Sequence, residues 1–220
     1  MSTAGGVDRA WPRARALGCA AAQLFVKSPN QWRLPDLPGS SLQRWNDHLQ
    51  RSDDRSDPLR WVAHAAYLIN LSAPEDELWA RSRSALLAEW HRCWTLGVEA
   101  LVVHPGSHRE LSVEQGLARV RDAVELLLEE MAQAASADGR PTHPLPRLLL
   151  ENTAGSGSQL GRSLEELAIM VRSTPVGGAA EGPGVGVCVD TCHAWAAGCG
   201  IDRRARPGPY NFSRKVPSAY

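Results

Sequence analysis

Five residues of the 220-residue chain whose groups can bind divalent metals stand within, at the end of or just past short apolar runs. "WVAHAAYLI" (61–69) contains His64, "VEALVVH" (98–104) ends in His104 and "RLLLEN" (147–152) carries Glu151. "VGVCVD" (185–190) ends in Asp190, and His193 follows in "DTCH". Imidazole nitrogen and carboxylate oxygen are donors that zinc and manganese accept, and a zinc held by them acidifies its bound water. Each residue also has a plainer role. A single histidine at a strand end is commonly a hydrogen-bonded structural group, and Glu151 or Asp190 alone would serve as a helix cap. Ligand types at four successive run ends, taken together, point to a shared metal site.

Convergence requires a fold that brings those ends together. A fifth apolar run, "CAAAQLFV" (19–26), precedes the others. All are short and nearly continuous, the pattern of strands buried on both faces. A short helix is predicted over 7–17, and amphipathic helical patterns lie near 40–51, 75–96, 112–135 and 162–173. "SVEQ" (112–115) is a capping box opening one of them. Alternating strands and helices predict parallel βα units with right-handed crossovers, each strand but the last followed by a helix. In such folds the site lies at the C-terminal ends of the strands. The fold class expected is α/β, a TIM (β/α)8-type barrel, incomplete, with about five parallel strands; a small open α/β sheet is the alternative. A closed barrel has eight strands and typically about 250 residues. The Pro- and Gly-rich stretches 136–146 and 176–184 are expected to be mobile loops.

Composition narrows the partners. Lys and Arg total 24, Asp and Glu total 24, and the formal net charge is zero. Such a chain does not draw nucleic acid through its overall field, so contacts with it must be local, through loops or bound metal. No leader-like or membrane-spanning run is evident, and the five scattered cysteines suit an intracellular protein with reduced thiols. Cys188 and Cys192 lack zinc-knuckle spacing and read as buried free thiols. "GSGSQLG" (155–161) reads as a flexible βα connection rather than a phosphate cradle, because glycine spacing alone is weak evidence. His108 reads either as support for the site or as a solvated group. His48, His91 and His143 read as bystanders, and the eight tryptophans mostly as helix-face or loop packing.

Several segments in order, "FVKSPNQW" (25–32), "HAAYLINL" (64–71), "HPGSH" (104–108), "LLENTAGSGSQLG" (149–161) and "VGVCVDTCHAWAAG" (185–198), resemble the signature segments of endonuclease IV. That family is a metal-dependent apurinic/apyrimidinic endonuclease with a TIM-barrel fold. The resemblance implies a three-zinc site, with Mn2+ as another metal it would take. His64 and His104 would hold one zinc and share the bridging, catalytic Glu151 with a second; Asp190 would bind the second and His193 the third. Tyr67 matches a residue of a DNA-binding loop, and Gln31 and Trp32 lie in another. Asn30 stands where bacterial members often carry arginine. The implied activity is base excision repair: cleavage of the phosphodiester 5′ to an abasic site in double-stranded DNA. The implied protein is a monomer, in the nucleus if eukaryotic and in the cytoplasm if bacterial, with no membrane partner.

The resemblance also has departures. Family members begin with a strand ahead of the segment matched by "AGG" (4–6), and their last strands supply two histidines, an aspartate and a late glutamate. Here the expected domain is 2–202, followed by an irregular, disordered tail over 203–220 with no helical or strand period. On this mapping the first zinc keeps its protein ligands, the second loses about half and the third keeps only His193. At most one zinc is then well held, cleavage by this chain is expected to be negligible, and open sheet edges favour self-association. A non-catalytic fragment with residual metal or DNA binding is one alternative. A sugar isomerase or epimerase of the same barrel superfamily is the other, and "ENTAG" and "DTCHA" weigh against it.

Overall fold

The computed structural model describes residues 1–52, 59–137, 143–172 and 183–198. A 3-10 turn (Val7–Arg9) leads into α1 (Ala10–Ala16) and β1 (Ala21–Phe25). Then follow α2 (Gly39–Ser52), β2 (Arg60–His64), α3 (Asp76–Thr95), β3 (Ala100–Val103) and α4 (Val113–Ala137). The last described elements are β4 (Arg147–Glu151), α5 (Leu164–Val171), β5 (Val185–Cys188) and α6 (Thr191–Ala196). All five strands pair in parallel within one sheet, in the order β1-β2-β3-β4-β5. This is the α/β arrangement of a (β/α)8-type barrel, with five consecutive strands among the described residues.

Three details depart from the sequence reading. The last strand is followed by a helix, α6, whose six residues are too few to show a period. The run 61–69 is a strand only as far as His64; residues beyond it form the loop that carries Tyr67. Only β3 is buried at every position; β2 and β4 expose just their first residue, an arginine in each, while β1 and β5 are less buried along their length. They lie at the two ends of the strand order, so each has one strand neighbour where β3 has two. The tail over 203–220 and Cys199 fall outside the described residues, as do 138–142 and 176–182 of the expected mobile loops.

Helices α3 and α4 supply much of the core. Leu86, Trp90 and Cys93 of α3, and Val120, Val124, Leu127 and Met131 of α4, are fully buried at helical spacing. The capping box forms: the Ser112 hydroxyl accepts from the Gln115 amide at 3.2 Å, and the Gln115 side chain accepts from the Ser112 amide at 2.9 Å. That satisfies two of the donors a helix start leaves open. At the N-terminal end of β2, Trp11 of α1 packs edge to face on Trp45 of α2 and on Trp61, and the last two lie tilted against each other, with centroids 5.2–5.5 Å apart. His48 stacks on Trp11 there, and the His143 carbonyl accepts from the Trp94 indole at 2.9 Å, packing roles for both.

Candidate metal centre

Parallel strands deliver the ligand-type residues to one end of the sheet. His64 is the last residue of β2, in register with Phe25 of β1 and Val102 of β3. His104 directly follows β3, and Glu151 closes β4. Asp190 lies just past β5 as the N-cap of α6, and His193 sits in the first turn of that helix. The turn after His104 depends on a glycine. Gly106 has φ of 110°, and a Cβ there would collide with the Asn70 side-chain oxygen. Asn70 accepts from the Ser107 amide and donates to the Ser107 carbonyl, which ties the loop after β2 to the loop after β3.

The side chains converge. His64 Nε2 lies 3.0 Å and His104 Nε2 2.9 Å from the same carboxylate oxygen, Glu151 Oε2. His193 Nδ1 lies 3.9 Å from the other oxygen, Glu151 Oε1. Donor atoms of His64, His104 and Glu151 all fall within 4.8 Å of one another, and so do those of Glu151, Asp190 and His193. Glu151 belongs to both groups and is buried. One carboxylate shared by two clusters, with histidine nitrogens on one side and histidine and aspartate on the other, is a donor set suited to neighbouring divalent ions.

Neighbouring groups fix the histidine rings. His64 Nδ1 donates to the Ala65 carbonyl at 2.7 Å, and His193 Nδ1 donates to the Asn152 carbonyl at 2.8 Å. In the neutral ring each arrangement leaves Nε2 with the free lone pair, the usual support of a metal-bound histidine. Asn152 also accepts from the Asp190 amide at 2.6 Å and donates to the Asp190 carbonyl at 3.1 Å, joining the ends of β4 and β5. Asp190 does cap its helix: Oδ1 accepts from the His193 amide at 2.8 Å. A carboxylate has two acceptor oxygens, so capping with Oδ1 leaves Oδ2 for a cation.

Charge follows from this geometry. An ionised carboxylate only accepts, so without metal each facing Nε2 carries a proton, and His64 donates from both nitrogens as an imidazolium. Burial pulls the His64 pKa down, but the bonds to Glu151 and Ala65 outweigh it and hold it above the ordinary 6.5. Burial pushes Glu151 up, but hydrogen bonds from His104 and His64 outweigh that and bring it down to about 2. The His64 contribution to stability is therefore complete below its unfolded value and lost as pH rises through the raised one. The Glu151 contribution is present above the ordinary 4.5 and is lost only as pH falls toward about 2. A metal reverses the histidine trend, because ligation needs the neutral ring. The Tm of chelator-treated protein is expected to fall as pH rises past the ordinary histidine range, while the Tm increment caused by added zinc grows over the same interval. Thermal melts with chelator or zinc across that range check this; a zinc increment that does not depend on pH would remove His64 from the ligand set.

The remaining residues singled out by sequence divide. Tyr67 is exposed and its ring lies against both histidines, with centroids 5.4 Å from His64 and 6.1 Å from His104, stacked on the latter. Gln31 is exposed, and Trp32 is partly covered, with the Arg81 guanidinium 4.3 Å from its ring centre. Asn30 is exposed on the same loop. His108 holds the Leu111 carbonyl at 2.6 Å and works as a loop brace. The 155–161 loop is anchored: Ser107 bridges to Gln159, and the Leu160 amide donates to the Gly106 carbonyl at 2.9 Å. Cys188 is partly buried, but Cys192 is exposed, because it sits on the outer side of the first turn of α6. Phe25, whose ring lies 5.5 Å from that of His64 and 5.4 Å from that of Tyr67, and Asn70 and Asn152 join the site beyond the sequence reading. Asn152 had a signal, since it adjoins Glu151; Phe25 and Asn70 act through packing and loop contacts that only the fold brings together.

A family model described as a xylose isomerase-like TIM barrel matches residues 11–214. A protein named "Probable endonuclease 4" from Halothermothrix orenii is 35% identical over 198 residues, covering 90% of this chain and 64% of its own length. A protein of the same name from Chloroflexus aurantiacus is 37% identical over 201 residues, covering 91% and 64%. The crystal structure of endonuclease IV from Thermus thermophilus superposes with a TM-score of 0.67 at 37% identity, covering 89% of this chain and 62% of that one. A D-tagatose 3-epimerase-like protein superposes with a TM-score of 0.55 at 20% identity, a likeness of fold alone. The chain spans a little under two thirds of the length of the endonuclease 4 relatives it matches.

Proposed function

We propose, for a chain that belongs to the xylose isomerase-like TIM-barrel family, a zinc-dependent endonuclease function that cleaves DNA on the 5′ side of abasic sites. The observation that carries the reading is the pair of histidines on one oxygen of Glu151, with Asp190 and His193 on its other side. The endonuclease 4 relatives, at 35–37% identity, favour this chemistry over sugar epimerisation, which is represented only by likeness of fold.

His64, His104 and Glu151 would hold one zinc, and Glu151, Asp190 and His193 would serve its neighbours; Mn2+ suits the same donors. When bound, zinc supplies Lewis acidity that lowers the pKa of water and offsets charge on phosphoryl oxygens. The chain's own residues do the rest. Glu151, buried and ionised, fixes both histidine nitrogens in one direction. Ala65 and Asn152 hold the rings by their Nδ1 protons, so neither turns away from the centre. Tyr67 presents an exposed ring beside the histidines, where it can stack in the gap an abasic sugar leaves, and exposed Gln31 borders the same approach. Because net charge is zero, DNA affinity would come from these loops and the metals rather than from a basic face.

The domain we assign to this work is 2–202, in an intracellular protein placed with the DNA it repairs. No helix among the described residues is long and apolar enough to cross a membrane. Exposed Val187, Val189 and Trp195, around β5 and α6, form the surface on which we place self-association of an otherwise monomeric chain.

The test is nicking of a duplex with one abasic site by chelator-stripped protein, with zinc or manganese added back. Metal-dependent cleavage 5′ to the site, absent from the undamaged duplex, is the result that would establish the assignment, against the negligible cleavage expected from the missing late ligands. Tight zinc and abasic-duplex binding without cleavage would reduce the assignment to a binding fragment. Epimerisation of a ketose in place of cleavage would replace it.

A further inference from the structure

The metal centre does not use the most deeply buried ion pair among the described residues. Lys27, just past β1, has its ammonium 3.3 Å from Glu89 of α3, and the two side chains are 1% and 0% exposed. Every proton of that ammonium has a partner: Glu89, the Gln31 carbonyl and the Trp32 carbonyl. The Glu89 carboxylate also accepts from the Ala66 amide, at 3.1 Å, in the loop after β2. The Tyr67 amide donates to the Pro29 carbonyl at 3.0 Å, joining the same two loops directly. Nearby on α3, Arg81 covers Trp32 and Arg92 donates to the Val26 carbonyl at 3.3 Å.

Stability alone does not account for this arrangement. A buried ion pair commonly contributes no more than an apolar pair of the same volume. Charges add direction, because ammonium and carboxylate fix the atoms they bind at set distances and angles. Here they bind the backbone of both loops that border the centre. Ala66 lies between the ligand His64 and the exposed Tyr67, so a carboxylate holding its amide also sets how Tyr67 lies over the histidines.

We propose that Lys27 and Glu89 are positioning residues that lock the loop after β1 to the loop after β2, and so hold Tyr67 and Gln31 in the register that reads the abasic gap. This rests on the endonuclease reading for the ligand, and on hydrogen bonds alone for the lock.

The experiment compares the full chain with Lys27→Met, Glu89→Gln and the double variant Lys27→Met/Glu89→Met. Three quantities are read: Tm, zinc affinity by competition with a chromophoric chelator, and affinity for abasic against undamaged duplex. Hydrogen exchange of segments 26–35 and 64–70 is followed in parallel. Each single variant leaves a buried group without its partner, so Tm falls. The double variant removes both charges and recovers most of the Tm. It does not regain the lock, so abasic-duplex affinity stays on the order of tenfold down, as expected when recognition groups lose their placement. Zinc affinity stays near that of the unaltered chain, and exchange in the two loops stays fast. Recovery of duplex affinity and loop protection together with Tm would overturn the proposal, leaving the pair a packing feature. If the unaltered chain does not prefer the abasic duplex, the endonuclease reading fails, and the exchange data still decide whether the lock exists.

Discussion

Replacing Glu151 with glutamine is expected to weaken zinc binding at least about a hundredfold, the largest effect of any single substitution at the centre. Removing a hydrogen-bond partner one step outside a metal's ligands already costs about 10- to 100-fold in affinity. Glu151 stands closer than that, since both histidine nitrogens point at one of its oxygens and it joins both donor groups. Glutamine keeps the volume but replaces an anion with a neutral amide, one end of which repels a cation. Whatever cleavage of the abasic duplex the unaltered chain supports is expected to fall about a hundred- to a thousandfold as well, the usual loss when one preorganised electrostatic group is removed. Zinc competition and nicking assays on protein with an unchanged circular dichroism spectrum check this. Unaltered zinc affinity in the glutamine variant would remove Glu151 from the ligand set.

The second large effect lies at the opposite end of β2 and concerns stability. Trp45→Ala is expected to cost about 3–5 kcal/mol, the range for deleting a buried aromatic from a core. Trp45 is fully buried, meets Trp11 edge to face and Trp61 at a tilt, and donates its indole N–H to the Leu96 carbonyl at 2.7 Å. That carbonyl belongs to the C-cap residue of α3 and would lose its partner. For a chain of this size the loss corresponds to a Tm drop on the order of 10 °C. Trp45→Phe keeps most of the ring burial and should lose much less. Zinc affinity should not follow either change in the folded protein, because the tryptophans sit at the strand starts and the ligands at the strand ends. Denaturant titration measures the first claim, and zinc competition below the melt measures the second. A Trp45→Ala variant as stable as the parent would mean that the cluster is not a support of the fold.

The candidate cluster was largely legible because a parallel sheet places successive strand ends together, and each relevant run carried a ligand-type residue at or just past the end of its strand. His64, His104 and Glu151 needed only the alternation of strand and helix to be brought into one cluster. The Lys27–Glu89 pair was not legible. Its members belong to a loop and a helix far apart in the chain, and only the folded structure shows that they meet. Its one local trace was a lysine inside the apolar stretch "LFVKS". Helix α6 was missed because six residues give too few turns for periodicity, although its capping aspartate stood in plain view. Partial exposure of β1 and β5 escaped notice for another reason. Continuous apolar runs report what a strand can bury, whereas neighbours decide what it does bury.

Strand order along the sheet repeats strand order along the chain. Each strand leaving a ribosome therefore finds its template in the strand completed just before it, and no finished pair has to part to admit a later one. The sheet can grow during synthesis, with the newest edge covered by the next strand to emerge. The metal-binding groups are assembled in the same sequence: His64 with β2, His104 after β3 and Glu151 with β4. A nascent chain thus holds its first complete cluster before Asp190 and His193 have been made, and a zinc ion captured at that stage would fasten β2, β3 and β4 together while the rest is still being translated.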